Sequence, residues 1–223
     1  MYFCDPGQFS DKRFAFLFKP GNHQVTANVG YYTSIIGLGA SPRDTNIRDV
    51  IVQNGDFDYT GGALDNFWRS AENFYTKPRM TWNNNPTPAF MWAVSQACPI
   101  RRAYIDGNAF LWQYNYGCCA GYSSGGYLSN TIGKKTKIHK LKKFIIFMEY
   151  NPIVTGSISS GSQQQWFTRN CQGSWVGGNW NMVFVGNTPS FPSSHCSNNG
   201  GSPYTTVSKT PVIAEKPYMI IQV

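Results

Sequence analysis

At 223 residues the chain can bury one substantial core, and no long flexible linker divides it, so a single domain over 1–223 is expected. Charged residues reach only 13% against 16% aromatics, with 22 glycines, which excludes a helical bundle and favours an all-β, turn-rich protein. The net charge of +8 overstates any affinity for anions, because Lys134, Lys135, Lys137, Lys140, Lys142 and Lys143 crowd into one short run; with no nucleic-acid-binding motif, neither nucleic acid nor a membrane is expected as a partner.

In chain order, RFAFLFKPGNHQVTANVGYYTSIIGLG reads as strand, turn, strand, broken at Pro20-Gly21, Gly30, Gly37 and Gly39. A second apolar group follows, with Ile47, Val50, Ile51 and Val52 ended by Asn54-Gly55. Strand groups recur at roughly two dozen residues, the spacing of coiled β architectures. Residues 61–75 are read as strand. Asp65 and Glu72 there are candidates for general acid and base, since glycosidic cleavage commonly uses two carboxylates, although salt-bridging or capping near Arg69 is the plainer role. Asp56, Asp58 and Asp106 sit beside Gly and Asn and are explained by turn chemistry. After the loop TKPRMTWNNNPTP, the segment FMWAVSQACPIRRAYIDGNAFLW resumes the strand pattern. Arg101-Arg102 with Asp106 nearby predicts a surface ion pair ahead of an anion site.

GCCAGYSSGGYLSNTI then runs into a Lys-dense, then apolar stretch unlike either neighbour, so 133–154 is read as a basic insertion. Its removal would join Leu128–Ile132 to Thr155–Ile158 in one small-polar, β-branched run. From Ser157 to Gly186 the chain packs Gln163, Gln164 and Gln165, Trp166, Trp175 and Trp180, and Arg169 into strand-like pieces. Amides that donate and accept, beside flat indole faces, suit a surface for hydroxyl-rich ligands such as sugars; a stacked amide ladder is the structural alternative. The tail is expected to end in a strand, Tyr218 to Val223.

The six cysteines (Cys4, Cys98, Cys118, Cys119, Cys171, Cys196) form no C-x-x-C pair, and only three His accompany them, so no metal site is expected. Their even number fits an oxidising compartment with up to three disulfides, in which adjacent Cys118 and Cys119 would take different partners. His195 and Cys196 adjoin in sequence, an arrangement that rarely faces a nucleophile toward its base. No cofactor is expected, since GLG (37–39) and SSGG (123–126) lack the Lys-Ser/Thr of a phosphate loop. The N-terminus shows no charged-then-apolar leader, and Phe144–Met148, the longest apolar run, is too short to span a bilayer.

The stretches NFWRSAEN (66–73), WAVSQA (92–97), GYSSGGYLSN (121–130), SGSQQQWFTRN (160–170), NWNMVFVG (179–186) and PYTT…TPVIAEKPY (203–218) together resemble the amino-terminal half of glycoside hydrolase family 55, the secreted β-1,3-glucanases. The resemblance covers nearly all of the chain except 133–154. It implies a right-handed parallel β-helix, one of two that sit side by side with the glucan site between them. It further implies exo-acting, inverting hydrolysis of β-1,3-glucan, by a general acid in the second helix and a water held by Gln and Ser side chains. The matching residues are Gln163 and Gln165, with Ser190 or Ser193 as the serine, while Trp166, Arg169 and Trp180 are expected to touch substrate. On this reading the chain is extracellular, its leader is absent from the sequence, the missing second helix is its partner, and the acid lies beyond Val223, leaving 1–223 weak or inactive alone. Ala214 stands where the family carries Arg, a departure near that edge.

Overall fold

The computed structural model describes residues 9–53, 62–63, 66–115, 119–120, 122–130, 153–194, 196, 203–212 and 215–221. Among these the only helical piece is a single 3-10 turn, Pro42–Asp44, capped by the Ser41 side chain. No helix among the described residues is long and apolar enough to cross a membrane. The rest is strand and turn. One ladder runs in the order β1 (Phe14–Phe18), β3 (Thr33–Gly37), β6 (Arg69–Thr76), β8 (Pro99–Ile105), β13 (Tyr127–Ser129), β15 (Trp166–Arg169), β17 (Met182–Val185) and β19 (Tyr204–Val207). Every pairing along it is parallel. Between its strands the chain makes a second set of parallel pairs: β2 (Gly21–Asn28) with β4 (Thr45–Ile51), then β7 (Ala89–Met91), β9 (Asn108–Phe110), β14 (Ile153–Gly161), β16 (Gln172–Gly177) and β18 (Thr188–Ser190) in succession. Two minor pairs stand apart, β5 (Gly62–Ala63) with β12 (Tyr122–Ser123), parallel, and β10 (Tyr114–Asn115) with β11 (Cys119–Ala120), antiparallel.

Parallel, in-register pairing puts like positions of successive strands on top of one another, so the core is built as columns. Ile35, Ala71, Ile100, Leu128, Thr168 and Phe184 form one such column through the first ladder, all at 2% exposure or less. Each large apolar member contributes about 1.5–3 kcal/mol by leaving water. Positions beside this column point outward, where Ser70 donates to Ser34 Oγ (2.7 Å) and Tyr127 stacks on Phe167 (5.2 Å between centroids).

Along one edge of this ladder the backbone turns through the left-handed region, inside β6 and β8 and just past the ends of β13 and β15. Asn73, Arg102, Asn130 and Asn170 take φ of 58°, 51°, 54° and 50° there. Asn tolerates this conformation better than most residues, which accounts for three of the four. Their amides then bind across the stack: Asn73 Nδ2 donates to Gly37 O (2.8 Å) and Gly39 O (2.6 Å), and Asn170 Nδ2 to Asn130 Oδ1 (3.4 Å). Amide side chains therefore bridge neighbouring strands at this corner, with one amide-to-amide bond, Asn170 to Asn130.

The C-terminal tail lies across the same corner as a strap. Thr210 donates to Asn170, Glu215 pairs with Arg169 (2.8 Å) and Lys216 with Glu72 (2.6 Å). Farther on, Tyr218 lies against the Arg102 guanidinium (3.4 Å), and Ile221 N–H donates to Leu38 O (2.9 Å). Residues 215–221 thus form no strand, correcting the expectation of one at Tyr218–Val223; their backbone is held by corner contacts instead.

Two further expectations change. Ile153 and Val154, read as the end of the basic insertion, are core strand: they pair with Tyr104 and Ile105, and Val154 is buried. The rest of that insertion, 133–152, lies outside the described residues, as do Asp56, Asp58, Asp65, Cys4, Cys118 and His195. Cys98, Cys171 and Cys196 are free thiols, so three disulfides do not form. Burial pushes the Cys98 thiol up to about 12, and the neutral group donates to Asn66 O (3.0 Å). Cys171 is raised by burial in the same way, and donates to Arg169 O (3.2 Å).

Candidate functional site

The opposite corner, where the chain enters each strand of the first ladder, carries an open groove of about 850 Å³. Its floor comes from the residues just before β8, β13, β15 and β17, namely Gln96-Ala97, Gly125-Gly126, Gln165 and Asn181. Its wall is the outward face of those strands, with Arg101, Tyr127, Phe167 and Val183. The floor is shallow at β13 for a steric reason. A Cβ on Gly126 would lie 2.3 Å from Trp166 Cζ3, so only glycine lets the chain pass over that ring.

The polar groups of the floor divide by whether they are engaged. Gln96 Nε2 donates to Ser124 O (2.9 Å) and is held in place. Gln165 and Asn181 are exposed, and among the described residues neither side chain has a hydrogen-bond partner. Two open amides in the floor and a stacked Tyr127–Phe167 pair in the wall can offer donors and acceptors to hydroxyls and an apolar surface to C–H groups. Arg101 closes one side, its guanidinium lying over the Tyr127 ring (4.9 Å). Among the described residues the lining contains no carboxylate and no histidine, so these residues can bind and orient but offer no general acid.

The expected site residues separate in this arrangement. Gln165 is at the groove. Gln163 is fully buried: its Nε2 donates to Leu111 O (2.8 Å) and Val94 O (3.3 Å), which uses the amide inside the stack and removes it from any cleft. Trp166 contributes to the groove's lining, yet its indole packs inward against Trp175 (6.3 Å) at 2% exposure, so it offers no face to a sugar. Trp180 is exposed at 43% and precedes Asn181 directly. Arg169 is occupied by the strap, through Glu215 and Val212 O (3.0 Å), so its guanidinium is spent on structure. Ser190 lies in β18 opposite Ser174 of β16, on the set of strands that does not border the groove, and Ser193 is exposed in the following coil.

The proposed acid Glu72 is buried and paired with Lys216, 144 residues away, a partner that proximity in sequence could not reveal. Asp106 does not meet Arg101; it accepts from Tyr75 Oη (2.9 Å) and Thr155 Oγ1 (3.2 Å). The Tyr75 phenol is raised by burial and by that hydrogen bond to Asp106. Among the described residues no group of His, Cys, Asp and Glu could hold a metal ion. Sequence reasoning missed Gln96, Asn181, Tyr127 and Phe167 as groove residues. The available signal was positional, since each floor residue stands one to three places before a strand that begins with Pro, Tyr, Trp or Met.

Fold and surface define the class first: an all-β protein of parallel, in-register strands with a polar groove along one corner. The comparisons then supply the particular likeness. No family model matches the chain. It is 38% identical over 224 residues to an exo-β-1,3-glucanase of Streptomyces sp. (strain SirexAA-E / ActE), covering 97% of this chain and 30% of that protein. The solved structure of sacteLam55A from Streptomyces sp. SirexAA-E matches with a TM-score of 0.74 at 35% identity, over 97% of this chain and 33% of that one. A variant of sacteLam55A in complex with glucose matches with a TM-score of 0.75, also at 35% identity, over 98% and 33%. These matches bear out the resemblance to glycoside hydrolase family 55, of whose matched members the chain spans about a third of the length.

Proposed function

We propose that this chain supplies one wall of a β-1,3-glucan site, as part of an exo-acting, inverting glycoside hydrolase of the extracellular space. In this reading the parallel strands wind as a right-handed β-helix, one half of a two-helix catalytic domain, and the general acid stands outside residues 1–223. The observation that carries it is the groove itself: Gln165 and Asn181 open to solvent in the floor, the Tyr127–Phe167 pair in the wall, and no carboxylate among the described lining residues. An amide can orient a water or a sugar hydroxyl but cannot protonate a leaving oxygen, and that step is commonly worth about a hundredfold to ten-thousandfold in rate. Support for the substrate class comes from the glucanase relative and from the structural neighbour's glucose complex. Within the proposal the residue roles are these. Gln165 takes the water- or substrate-holding part assigned to the Gln-x-Gln pair, Trp180 is the exposed ring beside it, and Gln163 fixes the turn that presents Gln165.

The test is to titrate the purified chain with laminarin and to assay released reducing sugar in parallel. Binding without turnover is the expected result. Turnover by residues 1–223 alone would overturn the placement of the acid, and absence of binding would overturn the glucan reading.

A further inference from the structure

The groove does not end at Gln96. Its corner continues toward the N-terminal end of the stack through Trp68 and Tyr32, the residues that enter β6 and β3. Tyr32 N–H donates to Trp68 O (2.8 Å) and Trp68 N–H to Gln96 O (3.4 Å), so the backbone runs without a break from these rings into the groove floor. Tyr32, Trp68, Ala97 and Asn181 share the left-handed backbone, with φ of 52°, 50°, 56° and 53°. That conformation is uncommon for aromatic residues, and here it turns both rings outward at the corner.

The rings form an ordered stack. The Arg13 guanidinium lies 3.4 Å from the Tyr32 centroid, and Tyr32 lies 5.2 Å from Trp68 with 11° between planes. Phe9, Tyr31 and Phe67 meet Trp68 only at steep or tilted angles, 75°, 67° and 46°. One face of the indole is therefore covered by Tyr32. Among the described residues no ring is stacked on the other face, and the next positions along the corner are small, Ala97 and then Gly125. Trp68 is 41% exposed despite these contacts, which a ring placed only to fill the core would not be.

We infer that Trp68, braced by Tyr32 and Arg13, is a stacking platform for a pyranose ring of a longer glucan whose other end lies at Gln165. This deepens the glucan reading above and rests on it. Three strand spacings separate the two positions, about 14 Å. A polysaccharide can reach both, whereas a disaccharide held at Gln165 does not reach Trp68. A sugar is favoured over an apolar partner because the surface between the two points is small-residue floor, Ala97 and Gly125-Gly126, leading to the open amides of Gln165 and Asn181 rather than to a continuous hydrophobic patch.

The experiment measures laminarin and laminaribiose affinity for the 223-residue chain and for Trp68→Ala, Trp68→Phe and Gln165→Ala, with circular dichroism and thermal melting to confirm folding. Trp68→Ala should weaken laminarin about tenfold, the loss of one stacked ring, while leaving laminaribiose unchanged; Trp68→Phe should recover most of the loss. Gln165→Ala should weaken both ligands. Unchanged laminarin affinity in folded Trp68→Ala, with Gln165→Ala impaired, would overturn the platform and leave the glucan reading standing. Trp68-dependent binding of xylan or a cello-oligosaccharide, with none of laminarin, would do the reverse. No binding of any glycan by the wild-type chain would overturn both.

Discussion

The two corners of the strand stack use the same backbone device for opposite ends. At the exit from the first ladder, Asn73, Asn130 and Asn170 take left-handed φ and commit their amides to neighbouring backbone or to one another. The tail strap then covers them, with Lys216 on Glu72 and Glu215 on Arg169. At the entrance, Trp68, Ala97 and Asn181 take the same φ, yet the amide side chains of Asn181 and Gln165 have no hydrogen-bond partner among the described residues. Turn geometry therefore does not mark a binding site. What separates a structural corner from a candidate binding corner is whether its hydrogen-bonding capacity is already used and whether another segment covers it.

Both corners are backed by a buried thiol, and alkaline pH should disturb both at once. Cys98 and Cys171 are neutral when folded because burial disfavours the thiolate, so their folded pKa values stand above the ordinary value. Stability is then complete below the ordinary thiol value of 9.0 and falls as pH rises toward about 12. The loss from Cys98 alone is on the order of 4 kcal/mol. Cys98→Ala and Cys171→Ala should each flatten the alkaline limb of a denaturation series, and an unchanged limb in both would show that neither thiol is sealed from water.

Asn73→Ala should cost about 3 kcal/mol in chemical denaturation, from two buried carbonyls left without a donor and a left-handed position without Asn. Glucan affinity per folded molecule should not move; if it falls, the covered corner is not purely structural. Arg169→Ala is smaller, about 1 kcal/mol, because the pair with Glu215 is only partly shielded. Limited proteolysis should cut its tail sooner, and a selective loss of laminarin binding would instead return Arg169 to the substrate. The smallest stability effect belongs to Gln165→Ala, within about 0.5 kcal/mol of wild type as for a surface change. Its affinity for laminarin should fall about tenfold, which is the contrast between the corners in its sharpest form.

Much of the architecture was legible. The strand groups read at Phe14–Leu38, 61–75 and 90–112 follow from β-branched and aromatic runs punctuated by Gly and Asn, and β1 to β3, β6 and β7 to β9 fall within or across them in the structure. The site was legible only in part. Gln165 sits at the groove, whereas Gln163, two residues earlier, points into the core, and Trp166 points inward while Trp180 is exposed. A Gln-x-Gln pattern inside a strand would put both amides on one face. Here it falls in the turn between β14 and β15, where alternation does not hold.

Composition and local pattern determined by themselves that this chain would be all-β, turn-rich and suited to uncharged, hydroxyl-bearing ligands, because those properties depend on residue type and near neighbours. Only the tertiary structure decided which amides are spent and which are open. The partners that settle it are remote in sequence: Leu111 for Gln163, Glu215 for Arg169, and Lys216 for Glu72. In a stack of parallel strands, residues a full circuit apart lie only about 4.8 Å from each other. The chemistry of each side chain is therefore set by the circuit above or below it and by the strap across them.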